Sequence, residues 1–503
     1  MRRLSIVPVL LAVLVVPAAA AVLYVPGTYP TIQQALNAAG SGDVILVAPG
    51  TYKENLTWPS TDGIRLVGAC GWAQTTIDGN QNGRVISFGS GLTRATVLEG
   101  FTVTGGFMNT SRNYGCGIHL SSSSPTIRHN HITGNVGDGT SWNYGGGFYL
   151  TGSSRPLIER NLISKNILRN GSWNYGAGIY VDSGAAPDII ANQILENENQ
   201  AGSRGYGGGI FVGSSTPSNV VSNVIAGNLC QAGTWNYGGG IRVYTNGAAN
   251  IVNNTIVSNI CNPGSYRYGG GIEYAGTAAG AIFNNIVVGN TGATGGGITV
   301  TGTAPPSDFN NVWNNTGGDY NGLTPGPNSI ALDPLFGGTQ DYHLTFRSPC
   351  IDAGSQAALG TLALQDYDGD SRRLDGNLDG LAGNGATLDI GADEFGVGQL
   401  AISGPPQLGT KVTFDVTGPA GAAWVLLYSP WTGSVFLDPY GYMLVGVPFG
   451  LLGSGAVPGK VPLALPSVAA LIGVTVHVQG VVALVVGGQP VGNATNRLDL
   501  TFF

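Results

Sequence analysis

The sequence predicts an all-β solenoid, a β-helix whose coils are about 31 residues long. Two series of asparagines carry this prediction, because each recurs every 31 residues and a fixed period of this length is typical of stacked repeats. Short runs of Val, Ile and Phe separated by Gly, Ser and Asn favour strands and turns over helices. The two series are Asn130, Asn161, Asn192, Asn223, Asn254 and Asn285, and Asn135, Asn166, Asn197, Asn228, Asn259 and Asn290.

The first 21 residues are typical of an export signal. Arg2 and Arg3 precede an apolar run over residues 4–16, and the small residues 18–21 suit cleavage. The run is shorter than the ~20 residues that a membrane span needs. We therefore expect a secreted or cell-surface protein with no transmembrane segment after the signal is removed.

The charge of the chain argues against one class of partner. Removal of Arg2 and Arg3 from the 21 basic residues leaves 19 against 28 acidic ones, a net charge near −9. Nucleic acid is therefore excluded as an expected partner, because no basic surface is available to bind phosphates. The 43% of hydrophobic residues suffices for a packed core.

Each coil is predicted to contain three short strands, as residues 144–166 illustrate. Two aliphatic columns should point inward, because stacked aliphatic side chains are what such a coil has to bury. The asparagines should occupy the turns, tolerate left-handed backbone and hydrogen-bond to the next coil. The two inward columns are Ile158, Ile189, Val220, Ile251 and Ile282, and Ile163, Ile194, Ile225, Ile256 and Val287.

The beginning of the chain carries a resemblance to a known group. A short helix predicted at residues 31–36 would cap the open end of the stack. The run Tyr29-Pro30-Thr31-Ile32-Gln33-Gln34-Ala35, with Gly42-Asp43 and Pro49-Gly50-Thr51-Tyr52, resembles the opening of secreted right-handed parallel β-helix proteins of the pectate-lyase-like group. The resemblance implies a right-handed β-helix over residues 22–330, in a group that includes polysaccharide lyases, hydrolases, epimerases, esterases and non-catalytic surface proteins.

No catalytic set of that group is recognisable in the repeats. The lyases of this fold hold Ca²⁺ on clustered carboxylates, and the hydrolases carry Asn-Thr-Asp, paired Asp and Gly-His-Gly, neither of which the repeats contain. The catalytic residues, if any, stay unknown.

Aromatic columns form the candidate binding site. In each coil one strand follows a group of glycines, as Phe148-Tyr149-Leu150 follows Gly145-Gly146-Gly147. Because strand side chains alternate, the column that contains Tyr149 should face solvent, and a second column, which contains Trp142, lies in the preceding loop. The rise of ~4.8 Å per coil is close to one sugar unit, so the rings could bind the apolar faces of a polysaccharide. The alternative is that the loops cover the rings and stacking only stabilises the coils; solvent exposure decides. The predicted carbohydrate-binding residues are His119, Tyr149, Tyr180, Phe211, Trp142, Trp173 and Trp235.

Two cysteines share one position on successive coils. Cys230 and Cys261 are 31 residues apart, so their Cα atoms should lie within the distance window of a disulfide. We predict a disulfide between them, with two stacked thiols as the alternative. The pairing of Cys70, Cys116 and Cys350 stays open.

Residues 331–398 form a predicted closing segment with two acidic loops. Oxygen ligands at alternate positions of a Gly-containing loop suit Ca²⁺, and a pair of Asx turns is the alternative. The segment, with Ser348-Pro349-Cys350-Ile351-Asp352-Ala353-Gly354 and a C-terminal Leu388-Asp389-Ile390-Gly391-Ala392-Asp393-Glu394-Phe395, resembles the one that closes many secreted bacterial β-helix proteins, which implies a cap for the last coil. The candidate Ca²⁺ ligands are Asp366, Asp368, Asp370, Asp375, Asn377 and Asp379.

Residues 399–503 alternate apolar and polar residues between Pro and Gly turns, which predicts a small β-sandwich tail domain. It resembles tail domains on exported proteins of planctomycete-like bacteria. The sequence thus favours an exported protein that binds polysaccharide through an aromatic stripe. The alternatives are a polysaccharide lyase or hydrolase and a non-catalytic structural or adhesion protein of the envelope; sugar identity and oligomeric state stay open.

Overall fold

The computed structural model describes residues 20–345, 348–359, 365–367, 369, 372 and 388–395, together with the tail strands given below. The predicted export signal lies outside the described residues except for its last two positions. Among the helices of this described part, none is both long and apolar enough to cross a membrane.

Three parallel sheets form the walls of a solenoid, and each coil adds one strand to every sheet. The predicted β-helix is confirmed. Sheet A contains Val22–Val25, Val44–Val47, Arg65–Gly68, Val97–Glu99, Thr126–Arg128, Leu157–Glu159, Asp188–Ile190, Ser218–Val221, Ala249–Val252, Ala281–Phe283 and Ser307–Asp308. Sheet B contains Gly50–Lys53, Thr75–Asp78, Thr102–Thr104, His131–Thr133, Leu162–Ser164, Gln193–Leu195, Val224–Ala226, Thr255–Val257, Ile286–Val288 and Asn311–Trp313. Sheet C contains Leu56–Thr57, Ile86–Phe88, Ile118–Ser121, Phe148–Thr151, Ile179–Val181, Ile210–Val212, Ile241–Val243, Ile272–Tyr274, Ile298–Val300 and Tyr320–Asn321.

Two further parallel sheets arise between sheets B and C, so the prediction of three strands per coil was wrong for six coils. Backbone hydrogen bonds between equivalent loops convert the predicted loop into two strands per coil. Sheet D contains Phe107–Met108, Val136–Gly137, Ile167–Arg169, Glu198–Gln200, Leu229–Cys230 and Ile260–Cys261. Sheet E contains Arg112–Tyr114, Trp142–Tyr144, Trp173–Tyr175, Arg204–Tyr206, Trp235–Tyr237 and Tyr266–Tyr268.

The core of the solenoid consists of the predicted aliphatic columns. Ile158 pairs in register with Ile189, and Ile163 pairs with Ile194. All ten predicted inward residues have no exposed surface. Their stacking confirms that equivalent residues of successive coils lie directly above one another, and burial of this aliphatic area is the main stabilising contribution of the coil.

The asparagine series form buried hydrogen-bond ladders between coils. The side-chain oxygen of Asn192 accepts from the backbone N–H and the side-chain amide of Asn161, both at 3.0 Å. The left-handed backbone lies one residue earlier than predicted, for example at Arg160 (φ 52°) and Lys165 (φ 55°). This leaves each asparagine free to turn inward and satisfy backbone groups of its neighbours, which confirms the predicted structural role.

A short helix, Ile32–Ala38, begins next to the first strand of the stack. Thr31 is its N-cap, and both oxygens of Glu54 accept from the N–H groups of Ile32 and Gln33 at 2.9 Å. Ile32, Ala35 and Leu36 are buried in the core of the solenoid. The helix therefore covers apolar side chains of the first coil, as the predicted cap requires.

The chain after the last coil contacts both the end and the side of the solenoid. At the end, Ser329 Oγ accepts a hydrogen bond from the N–H of Asn310, and Ile330 forms a parallel bridge with Asn311. The described residues beyond them, which include the hairpin Phe336–Gly338 with Asp341–Leu344 and the short helix Gln356–Leu359, continue as a strap along the side of the solenoid. Apolar contacts join this strap to the outer faces of sheets A and B; they involve Leu388 with Val221 and Val252, Ile390 with Ile286 and Val288, and Tyr367 with Val224 and Ala226.

The described tail strands are antiparallel, as the all-β prediction requires. A three-stranded sheet contains Gln399–Ser403, Lys411–Thr417 and Gly459–Ala464, and a two-stranded sheet contains Thr432–Leu437 and Gly441–Val445. A four-stranded sheet contains Gly450–Ala456, Ala423–Ser429, Thr475–Val486 and Gln489–Thr501.

Candidate functional site on the aromatic face

Sheet E places two aromatic or arginine side chains of every coil on the same face, because the first and third residues of its strands point the same way. The first residues form the outer ladder: Arg112, Trp142, Trp173, Arg204, Trp235 and Tyr266. The third residues form the tyrosine ladder: Tyr114, Tyr144, Tyr175, Tyr206, Tyr237 and Tyr268. Sheet C adds the strand column: His119, Tyr149, Tyr180, Phe211, Arg242 and Glu273.

The strand column is covered, so the predicted solvent-facing platform at Tyr149, Tyr180 and Phe211 is wrong. These rings are 7%, 8% and 2% exposed. Tyr144 packs edge-on against Tyr180 at a centroid distance of 5.1 Å, and Tyr175 does the same to Phe211 at 5.2 Å. The side chains do point out of sheet C, but sheet E lies over them, which the strand alternation alone does not reveal.

In the strand column, the aromatic rings of adjacent coils stack on one another and cover each other's faces. Tyr149 and Tyr180 stack at 5.3 Å with an interplanar angle of 4°, and Tyr180 and Phe211 at 5.0 Å and 10°. A sugar binds an aromatic ring through the ring face. These three rings therefore serve packing between coils.

Asp182 holds the hydroxyl groups of two coils together. Its carboxylate accepts from Tyr149 Oη at 2.8 Å and from Tyr180 Oη at 3.5 Å. Burial raises the pKa of both tyrosines, and the nearby carboxylate raises them further. Both phenols therefore stay protonated and act as hydrogen-bond donors at neutral pH.

His119 lies half-buried at the N-terminal end of the strand column, with its ring centroid 5.2 Å from that of Tyr149. Burial, together with the nearby positive charge of Arg84, lowers the pKa of His119 to about 4. Arg84 itself donates to the carbonyl oxygens of Tyr114 and Gly115 and so satisfies the free edge of sheet E. A neutral His119 is the form that this packing accepts.

The outer ladder is a stack of planar groups at the rim of the aromatic face. Trp142 and Trp173 stack at 5.5 Å and 17°, and the guanidinium of Arg204 lies between Trp173 and Trp235 at 4.3 and 4.4 Å from the ring centroids. Tyr266 stacks on Trp235 at 5.8 Å and 8° and is 46% exposed. The three predicted tryptophans are thus partly exposed, and each contributes cation–π attraction or ring stacking.

The exposed rim of the outer ladder offers donors. Within the part of the chain that the structure describes, no hydrogen bond or ion pair uses the side chain of Arg112, Trp142, Trp173 or Trp235. Indole and guanidinium groups have N–H donors and no acceptor. The ladder therefore places donors one coil apart, about 4.8 Å, along its length.

Of two ion pairs that join adjacent coils, one lies at the surface and one is buried. Arg128 Nη1 lies 3.9 Å from Glu159 Oε1 at the surface. Arg242 Nη1 lies 2.6 Å from Glu273 Oε2, and these side chains are only 7% and 1% exposed. The aromatic strand column therefore ends in a desolvated charge pair.

Cys230 and Cys261 do not form the predicted disulfide; both are buried free thiols. Their Cα atoms are in register, as predicted. In parallel, in-register strands the two side chains project side by side, and each sulfur lies near carbonyl oxygens of its own coil, at 3.7 Å for Cys230 to Gly238 and for Cys261 to Tyr268. Cys70, Cys116 and Cys350 are free thiols as well.

The predicted Ca²⁺ ligands are only partly within the described chain. Asp366 is buried, and one of its oxygens accepts from the N–H group of Gly369 at 2.8 Å, a local contact of the kind considered as the alternative. Its other oxygen accepts from the N–H group of the distant Glu394 at 3.0 Å. The described residues contain no group of three or more His, Cys, Asp or Glu side chains that could hold a metal. The other five predicted ligands, Asp368, Asp370, Asp375, Asn377 and Asp379, lie outside the described residues.

Fold and site together define a parallel β-helix protein with a continuous aromatic cluster on one face. The family model of the right-handed β-helix region matches residues 55–239 and, in an overlapping second match, residues 140–316. These matches extend over more than half of the chain, so the chain belongs to the right-handed β-helix family. No curated protein matches it.

Proposed function

We propose that this chain is an exported β-helix protein that binds a polysaccharide along its outer ladder. The observation that carries the proposal is the row of partly exposed indole groups, with the exposed guanidinium of Arg112 above Trp142, for which no side-chain hydrogen bond is found among the described residues. Export rests on the signal-like first 21 residues.

The chemistry of the ladder suits an oxygen-rich linear ligand. A row of donors matches the hydroxyl and ring oxygens of a glycan, which accept hydrogen bonds. Successive donors lie one coil apart, so an extended chain meets a similar contact at every rung. Because the stacked faces of Trp142 and Trp173 are closed, contact occurs at ring edges, and only the outer face of Tyr266 is open for a sugar ring to stack on.

A glycan array followed by calorimetry with the polysaccharide that binds tests the proposal. Replacement of Trp142, Trp173 and Trp235 together by Phe keeps a ring at each rung and removes only the N–H donors. We expect affinity to fall at least about tenfold, because each lost hydrogen bond is worth about 0.5–1.5 kcal/mol.

The matched control is Tyr180→Phe, which removes a polar hydrogen from a buried ring of the same face. It should leave glycan affinity unchanged. An array with no bound glycan, or a triple variant that binds as tightly as the native chain, would refute the proposal.

A structural or adhesion role is the second candidate. Its support is the burial of Tyr149, Tyr180 and Phe211, which makes most of the aromatic cluster a second core. Under that role the triple Phe variant changes stability and binds nothing. The polysaccharide lyase or hydrolase alternative rests on the fold family alone.

A further inference from the structure

The closing segment brings together three groups that the glycan proposal does not use. Asp341 and His343 lie on the strand Asp341–Leu344, and Tyr367 approaches them from the part of the strap that packs on sheet B. Asp341 Oδ1 lies 2.5 Å from His343 Nδ1, and His343 Nε2 lies 2.7 Å from Tyr367 Oη. The three form one linear relay from carboxylate through imidazole to hydroxyl.

The order of these groups is that of an activated nucleophile. A carboxylate at Nδ1 fixes the imidazole tautomer that leaves Nε2 as an acceptor, and Nε2 faces the hydroxyl proton. Both distances are within the reach expected between a nucleophile, its base and the group that orients the base. A phenol is a favourable partner, because its usual pKa of about 10 lies only about 3–4 units above that of imidazole.

We propose that Tyr367 is a nucleophile for acyl transfer from esters, with His343 as its general base and Asp341 as the positioning residue. Tyr367 Oη attacks the ester carbonyl carbon while its proton passes to His343 Nε2. The bond from carbon to the leaving oxygen then breaks, and the protonated His343 returns the proton to that oxygen. The products are acyl-Tyr367 and an alcohol; water releases the acid and restores the phenol.

Exposure supports access to the relay. The side chains of His343 and Asp341 are 44% and 50% exposed, so the imidazole ring is accessible to solvent. Tyr367 itself is anchored on Val224 and Ala226, with 9% exposed, which holds the hydroxyl in place. All three residues lie outside the segment matched by the β-helix family model, and the relay is independent of the outer ladder.

The test treats the full-length protein with p-nitrophenyl acetate and locates the acetyl group by mass spectrometry. We expect acetyl-Tyr367 to form faster than acetylation of the exposed Tyr24 and Tyr266. His343→Gln keeps an acceptor for the hydroxyl but cannot take a proton, so it should slow acetylation of Tyr367 at least about 100-fold. Asp341→Asn should slow it as well, and Tyr367→Phe should abolish it.

Tyr24 and Tyr266 are the internal controls, because they are 40% and 46% exposed and should be acetylated equally in all variants. Circular dichroism confirms that each variant is folded. If Tyr367 reacts no faster than these two, or if His343→Gln reacts as fast as the native chain, the relay only fastens the closing segment and the inference is wrong.

Discussion

Glu273 carries its carboxylate 2.6 Å from the guanidinium of Arg242 on the preceding coil, at a position where both side chains are almost fully buried. Thr301 donates a further 2.6 Å hydrogen bond to Glu273, and Arg242 faces the rings of Tyr206 and Tyr237. Burial raises the pKa of Glu273 even though Arg242 opposes this. The pair therefore costs desolvation energy, which its mutual contact, the Thr301 hydrogen bond and the ring contacts of Arg242 offset.

Removal of one member of this pair should be far worse than removal of both. Glu273→Ala leaves a buried, uncompensated arginine and should lower the free energy of unfolding by about 3–5 kcal/mol. Arg242→Met combined with Glu273→Leu should be close to neutral, because the charges leave together. Denaturant unfolding of the two variants checks this, and equal losses in both would contradict it.

The asparagine ladder should be sensitive at every rung. Asn192→Ala leaves the backbone N–H of Asn161 and the carbonyl oxygen of Ile158 without their partner in a fully buried place. We expect a loss of about 2–4 kcal/mol, because each unsatisfied buried group costs about 1–3 kcal/mol. The exposed neighbour Gln193→Ala should stay within about 0.5 kcal/mol in the same measurement. A small effect at Asn192 would show that water replaces its bonds.

Acid should weaken the protein through His119. The pKa of His119 falls to about 4 on folding from a usual 6.5, so the unfolded chain binds the proton more readily. Its contribution is therefore fully present above pH 6.5 and is lost as the pH falls towards 4. The loss is at most about 3 kcal/mol, and less because the ring is partly solvated.

The His119→Gln variant isolates this effect from the titration of carboxylates. Urea unfolding between pH 4 and pH 7 should show the native chain losing stability more steeply than the variant. Two parallel curves would mean that His119 does not change its environment on folding.

Counting free thiols tests whether Cys230 and Cys261 are two thiols, as in the structure, or the disulfide that their spacing predicts. Unfolded protein should react at five thiols, because all five cysteines are free. In the folded protein the half-buried Cys70 should react first, since Cys116, Cys230, Cys261 and Cys350 are buried and burial raises the pKa of Cys261 well above its usual value. A count of three thiols in unfolded, non-reduced protein would instead support the predicted disulfide.

The coil was predictable from the sequence because its side chains obey one distance rule. Asn161 and Asn192, or Ile158 and Ile189, occupy equal places in the repeat, and parallel in-register pairing makes equal places neighbours. The same rule correctly put Cys230 opposite Cys261. The rule fixes Cα positions but not the directions of the two sulfur atoms. It therefore cannot predict whether Cys230 and Cys261 form a disulfide.

The aromatic face was mispredicted for a different reason. Alternation correctly directed Tyr149 and Tyr180 out of sheet C, but outward is not the same as exposed once sheet E lies above. The repeated triplet at Trp142–Tyr144 and Trp173–Tyr175 was the available signal for that sheet, since it recurs at the same period as the strands. The strap along sheets A and B has no period, so nothing in the sequence indicated its path.

In-register stacking makes the length of this protein adjustable in whole units. Tandem duplication of the 31 residues from Tyr144 to Asn174 would insert one more coil with its own asparagines, aliphatic residues and tryptophan, and each old neighbour would meet an equivalent copy. Arg160, which donates to Gln365 of the closing strap, lies within the duplicated residues, so its second copy would take over that contact while the contacts of the strap from Ala191 onward stay in place. Gene duplication could thus lengthen the molecule by about 4.8 Å at a time while keeping the in-register stacking of the core.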